Sequence, residues 1–295
     1  MSVILCFPEY QTQAQHLAEA LSLPCHLIDI HHFPDSESRV TLPDLAFRHA
    51  IIYCGLEHPN NKLIELLLTV KTLRKSSCNR VSLVAPYLCY MRQDMAFHKG
   101  EAVSQDIIGK YLAELFENII TVDAHLHRTS SLQKVFPETN SVHISAARLF
   151  SHLLREKVTD ALLMGPDEES EQWVKLIADN CKLDYAVARK VRHGDKQVSI
   201  LIPDTDINFN NRHIVLIDDV ISSGSTLINI TKQLHTKNIS QVDALVTHAL
   251  FDTSTYNNLR QAGINEIWSS DSIPHSTNKV SVVPILAEQV KNWVS

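Results

Sequence analysis

Residues Val215 to Leu227 read VLIDDVISSGSTL, an apolar run that ends in two adjacent carboxylates and passes into small hydroxylated residues around one glycine. Its apolar start reads as a buried strand, and in open α/β sheets ligands sit outside the carboxyl ends of strands. Asp218 and Asp219 are expected at the strand exit, before a turn into a helix that presents Leu227, Ile230 and Leu234 on one face. Led in by Ser222, the amides of Ser223, Gly224, Ser225 and Thr226 would converge with the positive end of the helix dipole behind them, forming a phosphate cradle. Two carboxylates beside such a cradle repel an anion unless they accept hydrogen bonds from hydroxyls or hold a cation. A ligand with both a phosphate and a diol meets both demands, and a pentose 5-phosphate is such a ligand. The same stretch also suits a solvated β–α loop with a helix cap.

Three further stretches carry chemistry. In YMRQD, Arg92 and Gln93 follow the apolar VSLVAPY, placing a guanidinium fork at a strand end where a polyphosphate could be gripped; a surface ion pair with Asp94 would use the same residues. ARKVRHGDKQV sets Lys190 and Arg192 two apart, on one side of an extended chain, which alone reads as a basic surface hairpin. In VDAHLH, His125 and His127 have a spacing that a zinc pair allows, but no third ligand cluster of recognisable spacing accompanies them.

The elements that must hold these residues alternate from end to end. SVILCF, HAIIYCG, RVSLVAPY and NIITVDAH read as strands, separated by EYQTQAQHLAEALSL, NKLIELLLTVKTLRK and SQDIIGKYLAELFE at helical spacing. From about residue 142 the pattern restarts with AARLFSHLLRE, DALLMGP, EQWVKLIADNC, DYAVAR, HIVLIDDV, TLINITKQLH and QVDALVTHAL, which predicts two α/β units in tandem without a literal repeat. With 295 residues and 44% hydrophobic content the chain can fill two ordinary cores. A formal net charge of -6 gives no basic field for nucleic acid or anionic membrane, so any anion must be held locally. The six cysteines show no CxxC spacing and read as reduced core thiols, and MSVILCFPEY has neither the basic start nor the length of a signal or anchor; a cytoplasmic protein is expected.

VLIDDVISSGSTL resembles the phosphoribosyl-binding motif of type I phosphoribosyltransferases. FPDSE at Phe33 to Glu37, YMRQD at Tyr90 to Asp94 and VDAHLH at Val122 to His127 precede it in that order, and the set resembles the ribose-phosphate pyrophosphokinase family across nearly the full length. The resemblance implies an α/β fold of two phosphoribosyltransferase-like domains, each a mainly parallel sheet flanked by helices. Residues 1–142 would hold ATP and 143–283 ribose 5-phosphate, with a helix at 284–295 that can pack back on the first.

By the same resemblance Phe33 stacks on adenine and Asp35 or Glu37 accepts from its exocyclic amine, across a subunit interface. Arg92, Gln93, Asp94 and Lys99 bind ATP, Lys99 standing in for a second arginine usual in the family. His125 helps position magnesium and triphosphate, with Asp123 and Asp167 as further metal-site acids, Asp167 also lying near the ribose. Lys190 and Arg192 match a KxR pair that stabilises charge on the transferred group and on departing AMP. Ser222 and Gly224 replace an acid and a cysteine of the common bacterial type, so the loop is closer to the archaeal type. Glu168 and Glu169 follow Asp167 where the family has small residues, adding negative charge near a phosphate site.

The implied activity moves the pyrophosphoryl group of ATP to the anomeric hydroxyl of ribose 5-phosphate, giving phosphoribosyl pyrophosphate and AMP with Mg²⁺ as cofactor. The implied assembly is a homo-oligomer sharing its ATP site, without nucleic-acid or membrane partners. A phosphoribosyltransferase would share residues 215–227 but has no use for the first-half motifs. A non-catalytic synthetase-associated partner would tend to lose Lys190, Arg192, His125 and Asp219, all present here. No GxxxxGK appears, and 7 glycines in the whole chain argue against a Walker-type kinase.

Overall fold

The short β-branched runs of the first half form one sheet, and those of the second half form another. A computed structural model describes residues 1–44, 47–76, 78–126, 129, 131–193, 197–202 and 209–294, with 190–193 and 197–201 described in backbone alone. The first unit comprises Met1–Ser145, Ser272–Pro274 and Val282–Ser295; the second comprises Ala146–Asp271 and His275–Ser281.

In the first unit the strands are β1 (Ser2–Cys6), β2 (Cys25–Leu27), β5 (His49–Tyr53), β6 (Arg80–Val84), β7 (Asn118–Val122) and β8 (Asn140–Ile144), in the sheet order β2-β1-β5-β6-β7-β8. A separate hairpin, β3 (Asp29–His32) with β4 (Ser38–Thr41), interrupts the chain between β2 and β5. The helices are α1 (Gln11–Leu21), α2 (Pro59–Lys75), α3 (Ser104–Leu115) and the short α4 (Leu132–Val135). Every pairing in the six-stranded sheet is parallel. Helices then cover both faces, which is why β5 and β7 are buried at every position and show no polar alternation. Val3, Leu5, Ile52, Leu83 and Ile119 meet Leu66, Val70 and Leu73 of α2 and Leu112 of α3 in one core.

The second unit repeats the plan. α5 (Ala147–Lys157), β9 (Ala161–Gly165), α6 (Glu171–Cys181), β10 (Asp184–Val187), the hairpin β11 (Arg189–His193) with β12 (Gln197–Leu201), β13 (His213–Ile221), α7 (Ser225–Leu234), β14 (Gln241–Ala249), α8 (Thr253–Gln261), β15 (Ile264–Ser270) and β16 (Asn278–Val280) follow in turn. The sheet order β10-β9-β13-β14-β15-β16 is again second, first, third, fourth, fifth, sixth, and again wholly parallel. Each unit places its extra hairpin between the second and third strands of its sheet, so the duplication lies in topology and not in sequence. α9 (Val283–Val294) packs on α1, and its Trp293 carbonyl accepts from Arg80 Nη1 at 3.2 Å. No described helix is long and apolar enough to cross a membrane.

One buried charge at the N-terminal ends of the second sheet serves stability. Asp243 on β14, 1% exposed, accepts from His213 Nε2 at 2.7 Å, Gln241 Nε2 at 2.9 Å and the Glu266 amide at 2.8 Å. Burial alone would raise its pKa, but those hydrogen bonds outweigh it and hold the carboxyl below the usual range. A depressed carboxylate contributes stability above its unfolded value and loses it as pH falls through the folded one. Urea melts should therefore show a lower midpoint as pH drops below about 4. Asp243→Ala should cost about 3 kcal/mol at pH 7, with a smaller further loss on acidification; an equally stable variant would contradict the assignment.

Candidate functional site

In the second unit the acids and the loop gather at the carboxyl ends of β9 and β13. β13 pairs with β9 only as far as Leu216↔Met164, yet with β14 as far as Ile221↔Ala249, so its last five residues overhang β9. Asp218 and Asp219 stand on this overhang, inside the strand and not at its exit as the sequence suggests. Beyond the β9 ladder the two side chains take main-chain donors: Asp218 Oδ1 accepts from the Asp219 amide at 3.0 Å, and Asp219 Oδ1 from the Val220 amide at 2.8 Å.

Asp167, 7% exposed, lies just past β9 and accepts from the Glu169 amide at 3.1 Å. Its carbonyl takes the Ser170 hydroxyl at 2.6 Å, and a Cβ on Gly165 would lie 2.4 Å from that Ser170 Oγ. Glycine at the end of β9 is what lets the turn fold back with Asp167 at its head. The Asp218 carboxyl, enclosed although its residue keeps some exposed surface, is pushed well above the usual range by burial and by the carboxylates of Asp219 and Asp167. Such a group calls for a cation or hydroxyl donors. Glu168 and Glu169 are exposed, and Glu168 Oε1 lies 3.8 Å from Arg189 Nε, so at least the first of them has a basic neighbour.

Gly224 precedes α7 with φ of 68°, the left-handed region that favours glycine, and a Cβ there would press on Leu259 at 3.0 Å. α7 has no side-chain cap, and Leu227, Ile230 and Leu234 are its buried face. Ser223 Oγ lies 3.1 Å from Ser225 Oγ, while Ser222 and Thr226 are half-buried on either side. The Ser225 amide makes a long contact to Ser223 Oγ at 3.5 Å; with no cap from Gly224, the first turn of α7, its dipole and these hydroxyls are a combination that suits an anion, beside the carboxylates. Lys190 and Arg192 lie on β11 opposite Ile200 and Val198 of β12, so they do belong to a hairpin; the description of both stops at the backbone.

In the first unit the candidates fall at the ends of neighbouring strands. Arg92 is exposed after β6, and Lys99 is exposed beside Gly100 in a turn where Glu101 Oε2 accepts the Phe97 and His98 amides at 2.8 and 2.9 Å. Gln93 has other employment: its oxygen accepts from the Ser104 amide at the start of α3, and its nitrogen donates to the Met95 carbonyl at 3.0 Å. Asp94 is half-buried.

After β7, Asp123 is 1% exposed and has φ of 38°, a strained value for a residue with a side chain. Its amide donates to the Ile144 carbonyl at 2.9 Å, and the next amide, of Ala124, donates to His143 Nε2 at 3.1 Å. The His143 ring keeps an exposed edge, yet desolvation outweighs the pull of Asp123 and lowers its pKa, so Nε2 remains a neutral acceptor. His125 is half-buried on this bend; His127 lies outside the described residues.

Phe33, Asp35 and Glu37 form the tip of the β3–β4 hairpin. The turn closes through Phe33 N–H to the Glu37 carbonyl at 2.8 Å, Ser36 N–H to the Phe33 carbonyl at 2.9 Å and Glu37 N–H to Asp35 Oδ1 at 3.2 Å. Phe33 is 41% exposed, with the His31 ring edge-on at 4.9 Å. Buried Glu65 of α2 anchors the base, taking His32 Nε2 at 2.7 Å and Ser38 Oγ at 2.8 Å. Glu65 and His143 had no signal in the sequence, since each matters through a partner far along the chain.

Among the described residues no group of three or more His, Cys, Asp or Glu side chains could hold a metal by itself. Magnesium is commonly bound through one or two carboxylates plus substrate phosphates, and the hard oxygens of Asp167, Asp218 and Asp219 suit that.

Residues 2–119 match the family of the N-terminal domain of ribose phosphate pyrophosphokinase, and residues 138–284 match the phosphoribosyl transferase domain. The ribose-phosphate pyrophosphokinase of Methanopyrus kandleri is 28% identical over 293 residues, 98% of this chain and 99% of that protein. That of Sulfolobus acidocaldarius is 29% identical over 283 residues, 93% of this chain and 95% of the relative. The crystal structure of phosphoribosylpyrophosphate synthetase from Mycobacterium smegmatis superposes with a TM-score of 0.85 at 19% identity, covering 99% of this chain and 98% of that one, a likeness of fold.

Proposed function

The chain belongs to the ribose-phosphate pyrophosphokinase family, and we propose that it transfers the pyrophosphoryl group of ATP to the anomeric hydroxyl of ribose 5-phosphate. The observation that carries the reading is a helix N-terminus with no side-chain cap on Gly224, directly after a carboxylate pair in which burial and the neighbouring carboxylates push Asp218 well above the usual range, all in one unit. A pentose phosphate satisfies both at once.

In the reaction the anomeric oxygen forms a bond to the β-phosphorus. The bond from that phosphorus to the bridging oxygen of AMP breaks, AMP departs with the oxygen, and the hydroxyl proton is released. Ser222 to Thr226 hold the 5-phosphate, while Asp218 and Asp219 accept from the ribose hydroxyls, with Asp167 beside them. Arg92 and Lys99 grip the polyphosphate from the first unit, Gln93 and Asp94 shape the loop between them, and Phe33, Asp35 and Glu37 hold adenine. Magnesium carried with the triphosphate would supply charge neutralisation on the phosphoryl oxygens; His125 and Asp123 of the first unit, and Asp167 of the second, are the residues that would hold it. Lys190 and Arg192 act on the charge that develops during transfer. The product belongs to nucleotide biosynthesis in the cytoplasm.

Incubating the protein with ATP, Mg²⁺ and ribose 5-phosphate, and measuring AMP with phosphoribosyl pyrophosphate, tests the reading. AMP formed without any nucleobase separates it from a phosphoribosyltransferase, and no product at all would favour a non-catalytic partner. Asp219→Asn should weaken ribose 5-phosphate binding about 10-fold, as expected for a charge-assisted hydrogen bond, and affect ATP much less. Calorimetric titration of each ligand checks this; equal losses for both would indicate a folding defect.

A further inference from the structure

Gln105, in the first turn of α3 and 3% exposed, binds the main chain on both sides of Arg92. Its backbone N–H donates to the Gln93 carbonyl at 3.1 Å, and its side-chain Nε2 donates to the Met91 carbonyl at 3.2 Å. Met91 is itself 2% exposed, so the residues flanking Arg92 are fixed while the Arg92 side chain is left outside. The other end of the same amide, Oε1, accepts from Thr129 Oγ1 at 2.9 Å, in the segment that leaves β7 through Asp123 and His125. Two loops that follow neighbouring strands therefore end on one planar group. The Met91 carbonyl fixes the amide orientation, because a reversed amide would set oxygen against oxygen.

An apolar side chain would fill this buried place with less desolvation cost. A buried amide is stable there only with both ends satisfied, and this one is satisfied by the two segments that carry Arg92 and His125. We propose that Gln105 is a positioning residue of the ATP site, setting the register of the Arg92 segment against that of the His125 segment. The assignment rests on the reading of those segments as the nucleotide site and goes beyond it in naming what couples them.

The test compares wild type with Gln105→Ala, Thr129→Val and the double variant. Gln105→Ala should raise KM and Kd for ATP about 10-fold, since small displacements of positioning groups carry effects of this order or larger, with KM for ribose 5-phosphate within about 2-fold. Thr129→Val, which removes one donor and keeps the side-chain volume, should weaken ATP in the same direction, and the double variant should be no worse than Gln105→Ala. Gln105→Glu should not rescue, because it presents an oxygen to the Met91 carbonyl. Unchanged ATP parameters, equal rises for both substrates, or full additivity with Thr129→Val would overturn the proposal. A wild type that binds ATP but makes no product would refute the functional reading alone; Gln105 would then be judged on ATP affinity. A wild type that binds no ATP would refute both.

Discussion

Replacing Lys190 or Arg192 with alanine is expected to lower kcat by about 10² or more while ribose 5-phosphate binds nearly as before. The two positions are alternate residues of β11, each in register with a residue of β12, so strand alternation puts them on one side of the hairpin. In the proposed role the pair acts on charge of the transferring pyrophosphoryl group and of AMP, which exists mainly in the transition state. Their loss should therefore appear in kcat more than in substrate affinity. Rapid-quench measurement of AMP formation, beside titration of ribose 5-phosphate, provides the check. An ordinary kcat in either variant would remove that residue from the chemistry.

Complementation between two inactive proteins should be equally large in effect. The Phe33, Asp35 and Glu37 tip presents an exposed aromatic ring at the end of a hairpin whose base is fastened to Glu65. If that tip serves the ATP site of a neighbouring subunit, a Phe33→Ala/Glu37→Ala protein and a Lys190→Ala protein are each inactive alone. Mixed under subunit exchange, some interfaces pair an intact tip with intact cations, and activity returns. Exchange verified by mass spectrometry without any recovery would leave the tip as a contact within its own chain.

Most of the architecture was legible because it rests on long apolar runs. The strands around Ile4, Ile51, Leu83, Ile120, Leu163, Leu216 and Leu245, and the helices between them, follow from burial on both sheet faces. β2, at three residues, is too short to show periodicity, and β8 is half polar because it lies at a sheet edge. The strand that carries the carboxylate pair, the glycine turn and the helix after it could be read because they are neighbours in sequence. Gln105, Glu65 and His143 could not. Each works by a hydrogen bond that closes only after separate segments meet, and a glutamine at a helix start or an acid on an amphipathic helix looks like any other. The bond of Gln93 to the start of α3 is hidden for the same reason, since it depends on a loop that returns to it.

The docking of α9 on α1 bears on how the polypeptide comes off the ribosome. The helix that finishes the first unit is encoded after the entire second unit, so vectorial synthesis cannot complete one half before beginning the other. Throughout that interval Leu286, Val290 and Trp293, which are buried in the finished protein, have not yet reached the surface they cover. A nascent chain thus carries an almost complete first half with an uncovered apolar strip past its neighbours on the same messenger. Chains aborted before Val283 would keep that strip permanently, and quality control by chaperones and proteases would meet them as a distinct, aggregation-prone species.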